Sequence, residues 1–278
     1  MKQGITNTIF KIRRSKLYQR FKYFYLSRKP FLRYFFNKSK RDNLLGEKPV
    51  FIYNHIPKCG GTSFNVILND FFSVINDYPP HELEFECHID FLESLKVHEK
   101  ETPDYLELKP FQAMSGHYFY NEIFLSNRFE GIYECPRVKL ISFLRDPLTH
   151  RVSLYSFGIK KGHSYIKGIE LEDYILEEKN YYSKLLECNI DNYKERLDSY
   201  FFIGIMEEFN RSIELLSNKM RMKVNRSIPN INRSNSEKYY GMLSEEIKQE
   251  FKSSNHLDYL IYEYSIKLFI KQQIDFLN

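Results

Sequence analysis

The chain is 278 residues long, 42% hydrophobic and 17% aromatic, with 22 Tyr, 24 Phe, 11 Gly and no Trp, and it carries a formal net charge of +5. That length buries a sizeable core in one or two domains, and the sparse glycine excludes a collagen-like or low-complexity chain. The four cysteines, Cys59, Cys87, Cys135 and Cys188, form neither a CxxC pair nor a zinc spacing, which implies reduced thiols in an intracellular protein.

The charge is uneven along the chain. Residues 1–50 hold 14 Lys or Arg against 2 Asp or Glu, a net of +12, so the remainder carries −7. Residues 1–48 read as a basic aromatic arm ahead of a single domain over 49–278. The arm's run RFKYFYLSRKPFLRYFF interleaves cations with Tyr and Phe. Two readings fit it: a segment lying on a membrane surface or another polyanion, and a solvated helix packing its aromatics on the domain. Nucleic acid is not expected as a partner, because the rest of the chain is acidic and shows no DNA- or RNA-binding motif. The N-terminus has no apolar signal-peptide stretch, and charges interrupt every apolar run well short of a membrane span.

In chain order, 49–56 reads as a strand and 62–72 as an amphipathic helix, with Phe64, Ile67, Leu68 and Phe71 at helical spacing. Residues 73–110, rich in Glu, His and Pro, read as an excursion with a short helix near 89–97. A strand at 111–115 leads into SGHYFY, and VKLISFL reads as a strand ending at Arg145. Helices follow at 147–160, near 170–178 and at 181–188, then the strand YFFIGI and a helix at 207–220. NRSIPNINRSNS reads as a polar loop, and two helices, 243–253 and 256–274, close the chain. Strands alternating with helices predict an α/β fold, a parallel β-sheet covered by helices on both faces with a helical C-terminus.

The stretch FIYNHIPKCGGTSF, residues 51–64, sits at a strand-to-helix turn. Glycines there admit close backbone approach to a ligand, and the helix N-terminus adds orphan N–H donors and positive partial charge. Lys58, Cys59, Gly60, Gly61, Thr62 and Ser63 therefore form a candidate cradle for an anion such as a phosphate. The sequence is not GxxxxGK[ST], because Lys58 precedes both glycines. In LRDPLTHRVSLYSF, Asp146 followed by Pro147 reads as a helix N-cap with proline at the first position. Arg145, at the carboxyl end of its strand, either converges with Ser153 on a second anionic group or pairs with a carboxylate.

Together the two motifs resemble the sulfotransferases that use 3′-phosphoadenosine 5′-phosphosulfate (PAPS). IPKCGGTS is similar to their 5′-phosphosulfate loop and FLRDPLTHRVSLYSF to their 3′-phosphate segment. The wording is closest to the carbohydrate O-sulfotransferases, the branch of the heparan sulfate 2-O- and 6-O- and chondroitin 4-O-enzymes and their bacterial relatives. FFIGIMEEFNRSIELL and NINRSNS echo later parts of that family, so the resemblance spans roughly 49–270.

The resemblance implies a P-loop-like fold and in-line transfer of a sulfuryl group from PAPS, without a metal, to a hydroxyl of a carbohydrate or glycolipid. Lys58 would be catalytic. The nucleotide would be held by Lys58, Cys59, Gly60, Gly61, Thr62, Ser63, Arg145 and Ser153, with Arg233 and Ser234 in the covering loop. Cys59 is read as a small side chain rather than a nucleophile, since in-line transfer needs no covalent intermediate.

A hydroxyl acceptor calls for a base, and the Gly-His context of the family points to His117. His55 is expected to have a packing or supporting role and is the competing candidate; His81, His88 and His98 are expected to be exposed, and His150 and His163 to lie on the surface. Without the membrane anchor and lumenal disulfides of the Golgi members, the enzyme is expected in the bacterial cytoplasm, touching the inner face of the membrane through its arm. The alternative is a P-loop-type nucleotide-dependent kinase or nucleotide-binding protein, which requires Mg²⁺.

Overall fold

The computed structural model describes residues 48–80, 87–119, 123–163, 166–222 and 236–277. Five strands form one sheet: β1 (Val50–Asn54), β2 (Ser73–Asp77), β3 (Gln112–Gly116), β4 (Val138–Leu144) and β5 (Phe202–Ile205). Their order is β2-β3-β1-β4-β5 and every pairing is parallel, with Ile52 opposite Met114 on one side and Leu140 on the other. All residues of β1 and β5, and all but one of β4, are buried, so both faces of the central sheet are covered. This is the predicted parallel α/β fold with flanking helices, and it is P-loop-like in that the central strand runs into the glycine loop.

The helices are α1 (Gly61–Phe71), α2 (His88–Glu101), α3 (Leu125–Arg128), α4 (Pro147–Lys161), α5 (Leu171–Glu177), α6 (Tyr181–Leu185), α7 (Tyr193–Asp198), α8 (Phe209–Lys219), α9 (Ser236–Tyr240), α10 (Glu245–Ser254) and α11 (His256–Leu277). The main core packs Phe51, Phe64, Phe71, Phe72, Phe143 and Phe202 around the sheet, and a second cluster joins Leu148 and Val152 of α4 to Ile175 of α5 and Phe251 of α10. Among the described residues no helix is long and apolar enough to cross a membrane.

The chain departs from the sequence expectation in several places. The excursion after α1 is a strand first: Ser73–Asp77 is β2, the sheet's edge. It pairs on one side alone and is half-exposed, so it lacks the apolar run or alternation that betrays a strand. The short helix near 89–97 extends over His88–Glu101, and α3, α7 and α9 were not anticipated. The arm up to residue 47, and most of the polar loop with Arg233 and Ser234, lie outside the described residues.

Candidate functional site

The loop between β1 and α1 takes its shape from two left-handed residues, Lys58 at φ 61° and Gly60 at φ 79°. Glycine adopts that conformation freely, whereas for lysine it costs on the order of 1–2 kcal/mol. A Cβ on Gly60 would lie 2.7 Å from Met206 Sδ, and one on Gly61 would lie 1.7 Å from His55 Nε2. Both glycines are thus required by close neighbours.

The first intrahelical bond of α1 runs from Phe64 N–H to Gly60 C=O, which leaves the N–H groups of Gly61, Thr62 and Ser63 without an acceptor in the helix. Gly60 supplies no side-chain cap, and no acidic residue occupies the first turn. The positive end of α1 is therefore presented uncompensated to a cleft of about 1360 Å³.

Lys58, Gly60, Gly61, Thr62, Ser63, Arg145, Ser153, His55 and His117 all line this cleft. Lys58 Nζ sits over the Phe157 ring, 4.2 Å from its centroid. Burial, with Arg145 and Lys160 nearby, lowers its pKa below the ordinary lysine value. Cys59 differs from its neighbours. Its thiol is fully buried, 3.7 Å from Tyr182 Oη, and its N–H donates to Ile56 C=O. Burial pushes the thiol up to about 12, so at neutral pH it is protonated and packs as a small side chain.

Arg145 stands at the end of β4, and its Nε donates to Thr149 Oγ1 at 3.1 Å. Among the described residues no carboxylate lies within ion-pairing distance of it, which removes the carboxylate-pair alternative there. Asp146 is the N-cap of α4 as read from the sequence: its carboxylate accepts from Thr149 N–H at 2.9 Å, with Pro147 following. Ser153, two turns into α4, is 1% exposed and faces the cleft.

Residues that sequence reasoning missed hold these groups in place. Tyr182 Oη donates to Arg145 C=O at 2.8 Å and accepts Arg145 N–H at 3.3 Å, fastening the strand end beside the loop. Tyr182 is itself seated by Asp258, which accepts the N–H groups of Tyr182 and Ser183 at 2.9 and 3.0 Å. Burial, opposed by those N–H groups, pushes the Asp258 carboxyl up to about 6.

His150 is not at the surface as expected. It is 2% exposed, sandwiched against Tyr181 and Tyr182, and its Nε2–H donates to Pro57 C=O at 2.9 Å, so it pins the loop. Burial drives its pKa down to about 3, which keeps it neutral. His98, also expected to be exposed, contacts the buried Asp77 at 2.8 Å, while Arg128 approaches the same carboxylate at 3.3 Å. A carboxylate buried at a strand end is costly unless it is partnered, and these two side chains supply its partners.

His117 and His55 are in contact: Nε2 of His117 lies 3.1 Å from Nδ1 of His55, which also meets Tyr78 Oη at 2.9 Å. Burial lowers His117 to about 4, and burial followed by the neighbouring His117 lowers His55 well below 6.5. Both rings are therefore neutral near pH 7 and able to accept a proton. The site combines an uncapped helix end, the cations Lys58 and Arg145, and a neutral imidazole pair along one cleft.

No protein-family model matches the chain, and no curated protein matches it. Two sulfotransferases are among the solved structures similar to it. A sulfotransferase from Alicyclobacillus acidocaldarius superposes with a TM-score of 0.42 at 11% identity, over 80% of this chain and 95% of that one. Mouse sulfotransferase SULT7A1, in complex with PAP, superposes with a TM-score of 0.44 at 12% identity, over 82% of this chain and 92% of that one.

Proposed function

We propose that the protein is a sulfotransferase that moves the sulfuryl group of PAPS to a hydroxyl of a carbohydrate or glycolipid by in-line transfer. One observation carries the reading: the uncapped α1 end with Lys58, and Arg145 at the β4 end with Ser153, open onto one cleft. A donor with a phosphosulfate at one end and a 3′-phosphate at the other requires two such features. The residues fit it, since a Cβ at Gly60 or Gly61 would fill or deform the cradle.

The bound donor supplies an activated sulfuryl group and a phosphate leaving group. The N–H groups of Gly61, Thr62 and Ser63 would orient the phosphosulfate, and Lys58, on the same loop, would supply positive charge as the S–O bond breaks. A fixed positive charge there stabilises the transition state more than the ground state. Arg145 and Ser153 hold the 3′-phosphate and so distinguish this donor from other adenosine nucleotides. His117, in contact with His55 and lining the same cleft, accepts the proton of the acceptor hydroxyl.

Tyr78, Pro79, Pro80 and Tyr181 also line the cleft and give it flat apolar faces beside polar groups, a lining that suits a sugar. Arg233 and Ser234 belong to this proposal as cover for the nucleotide, and residues 1–48 as a contact to the inner face of the membrane from the cytoplasm. The kinase alternative gains nothing from Asp146, which is occupied in capping α4.

Radiolabelled donor, offered with a set of oligosaccharides and glycolipids in chelator, tests the proposal. Label should pass to a carbohydrate, and His117→Ala should slow transfer by about 10²–10⁴ while nucleotide binding persists. Nucleotide binding with no transfer to any carbohydrate would overturn the acceptor class. Absence of both would overturn the reading altogether.

A further inference from the structure

The corner between β4 and α4 is held from outside both elements. The ladder of β4 ends at Leu144, opposite Ile205, and the helical bonds of α4 begin with His150 N–H donating to Asp146 C=O. Arg145 N–H, Arg145 C=O and Asp146 N–H lie between the two and need other partners. Side chains supply all three. Tyr182 Oη donates to Arg145 C=O at 2.8 Å and accepts Arg145 N–H at 3.3 Å, and Glu207, just past β5, accepts Asp146 N–H at 2.9 Å. Both suppliers are held by the C-terminal helix α11. Asp258 accepts the N–H groups of Tyr182 and Ser183, and Tyr262 donates its phenol proton to the other carboxylate oxygen of Glu207 at 2.9 Å. Asp258 and Tyr262 are four residues apart, so they share one face of α11, and that face is buried.

We propose that Asp258 and Tyr262 are positioning residues that, through Tyr182 and Glu207, clamp the Arg145–Asp146 corner and so set the preference for a 3′-phosphorylated nucleotide. The inference rests on the reading of Arg145 as the group that meets the 3′-phosphate. The direction of its guanidinium follows the corner's backbone. Arg145 Nε is held by Thr149 Oγ1 in the first turn of α4, and Thr149 is in turn bonded to Asp146 through its N–H and its hydroxyl. A small rotation at the corner therefore moves the charge at the far end of the side chain, and charge-assisted contacts depend on that geometry. The clamp also reaches the glycine loop, because Tyr182 Oη lies 3.7 Å from Cys59 Sγ. A ligand with an anionic group at each end responds to how the corner and the loop are spaced. A ligand with one such group does not.

Two measurements test the clamp: calorimetric titration with adenosine 3′,5′-bisphosphate and with its 3′-hydroxyl analogue, and amide hydrogen exchange over residues 144–150. Tyr262→Phe removes the phenol proton that holds Glu207. Asp258→Asn keeps one acceptor but sets an NH2 group against the second N–H. In each variant the corner amides should exchange faster. Affinity for the bisphosphate should fall about three- to tenfold, the size of one net hydrogen bond, while the analogue changes by less than about twofold. Phe269→Leu alters buried packing about 10 Å further along α11, so it should lower the unfolding temperature and leave both affinities and the corner amides as they were. Unchanged exchange in both folded clamp variants would overturn the proposal, as would an equal loss of bisphosphate affinity in Phe269→Leu. So would a preference that survives in the clamp variants but is erased by Arg145→Ala. A preference that survives Arg145→Ala as well would overturn the reading of Arg145 instead, and the exchange rates would still decide whether α11 clamps the corner.

Discussion

The close approach of His55 to Gly61 makes Gly61→Ala an informative substitution. Gly61 opens α1 with an ordinary helical φ, so alanine adds no backbone strain and, on helix propensity alone, would stabilise by up to about 1 kcal/mol. The new methyl, however, would lie 1.7 Å from His55 Nε2 and 2.0 Å from Cδ2. The ring cannot swing aside freely, because Nδ1 is bonded to Tyr78 and to His117. Overpacking of this kind costs about 1–3 kcal/mol, which exceeds the propensity gain. Net of that gain the loss is roughly 0–2 kcal/mol, so at about 2–4 °C per kcal/mol for a domain of this size the unfolding temperature should fall by up to about 8 °C. In a His55→Ala background the obstacle is gone, so the same substitution should be neutral or slightly stabilising. Thermal unfolding of the four proteins of this cycle reads the sign reversal directly. Equal destabilisation in both backgrounds would refute the argument that the ring dictates glycine at this position.

Lys58→Ala should lower turnover by about 10²–10³, the usual loss on removing one preorganised group, while nucleotide binding stays measurable; wild-type turnover in steady-state assays would remove Lys58 from the mechanism. Arg145→Ala and Ser153→Ala should each mainly weaken the nucleotide, by about 1.5–3 kcal/mol for the charged contact, and erase the preference for a 3′-phosphate, as measured by calorimetric titration. The folded-state value of Asp258 lies above the ordinary carboxylate value, so its contribution to stability is full below about 4 and is lost as pH rises through about 6. Urea unfolding at pH 4 and 7 should show that loss, and Asp258→Asn should flatten it; an unchanged pH dependence would show that Asp258 does not carry it.

What the sequence made legible was local. The glycine pair after an apolar run, the Asp146–Pro147 cap and the arginine at a strand end each depend on neighbours a few residues away, and each appears as read. The parts that escaped depend on contacts between distant residues. The Tyr182 contacts to Arg145 and Cys59 span 37 and 123 positions, and the Tyr78–Ser115 contact spans 37. His150 sits in a helix whose pattern gives no sign that Pro57, 93 residues earlier, will need its proton. β2 was missed because an edge strand need not bury both faces, so neither apolar run nor alternation marks it.

The central claim is that two anion-holding features on one cleft take the two ends of a 3′-phosphorylated adenosine nucleotide. Calorimetric titration of adenosine 3′,5′-bisphosphate into the protein, in the presence of a magnesium chelator, tests it most directly. The account predicts saturable binding without the metal, and binding of the 3′-hydroxyl analogue weaker by about tenfold or more, the factor that corresponds to losing one charge-assisted contact. Binding that requires magnesium, or equal affinity for the two nucleotides, would contradict it.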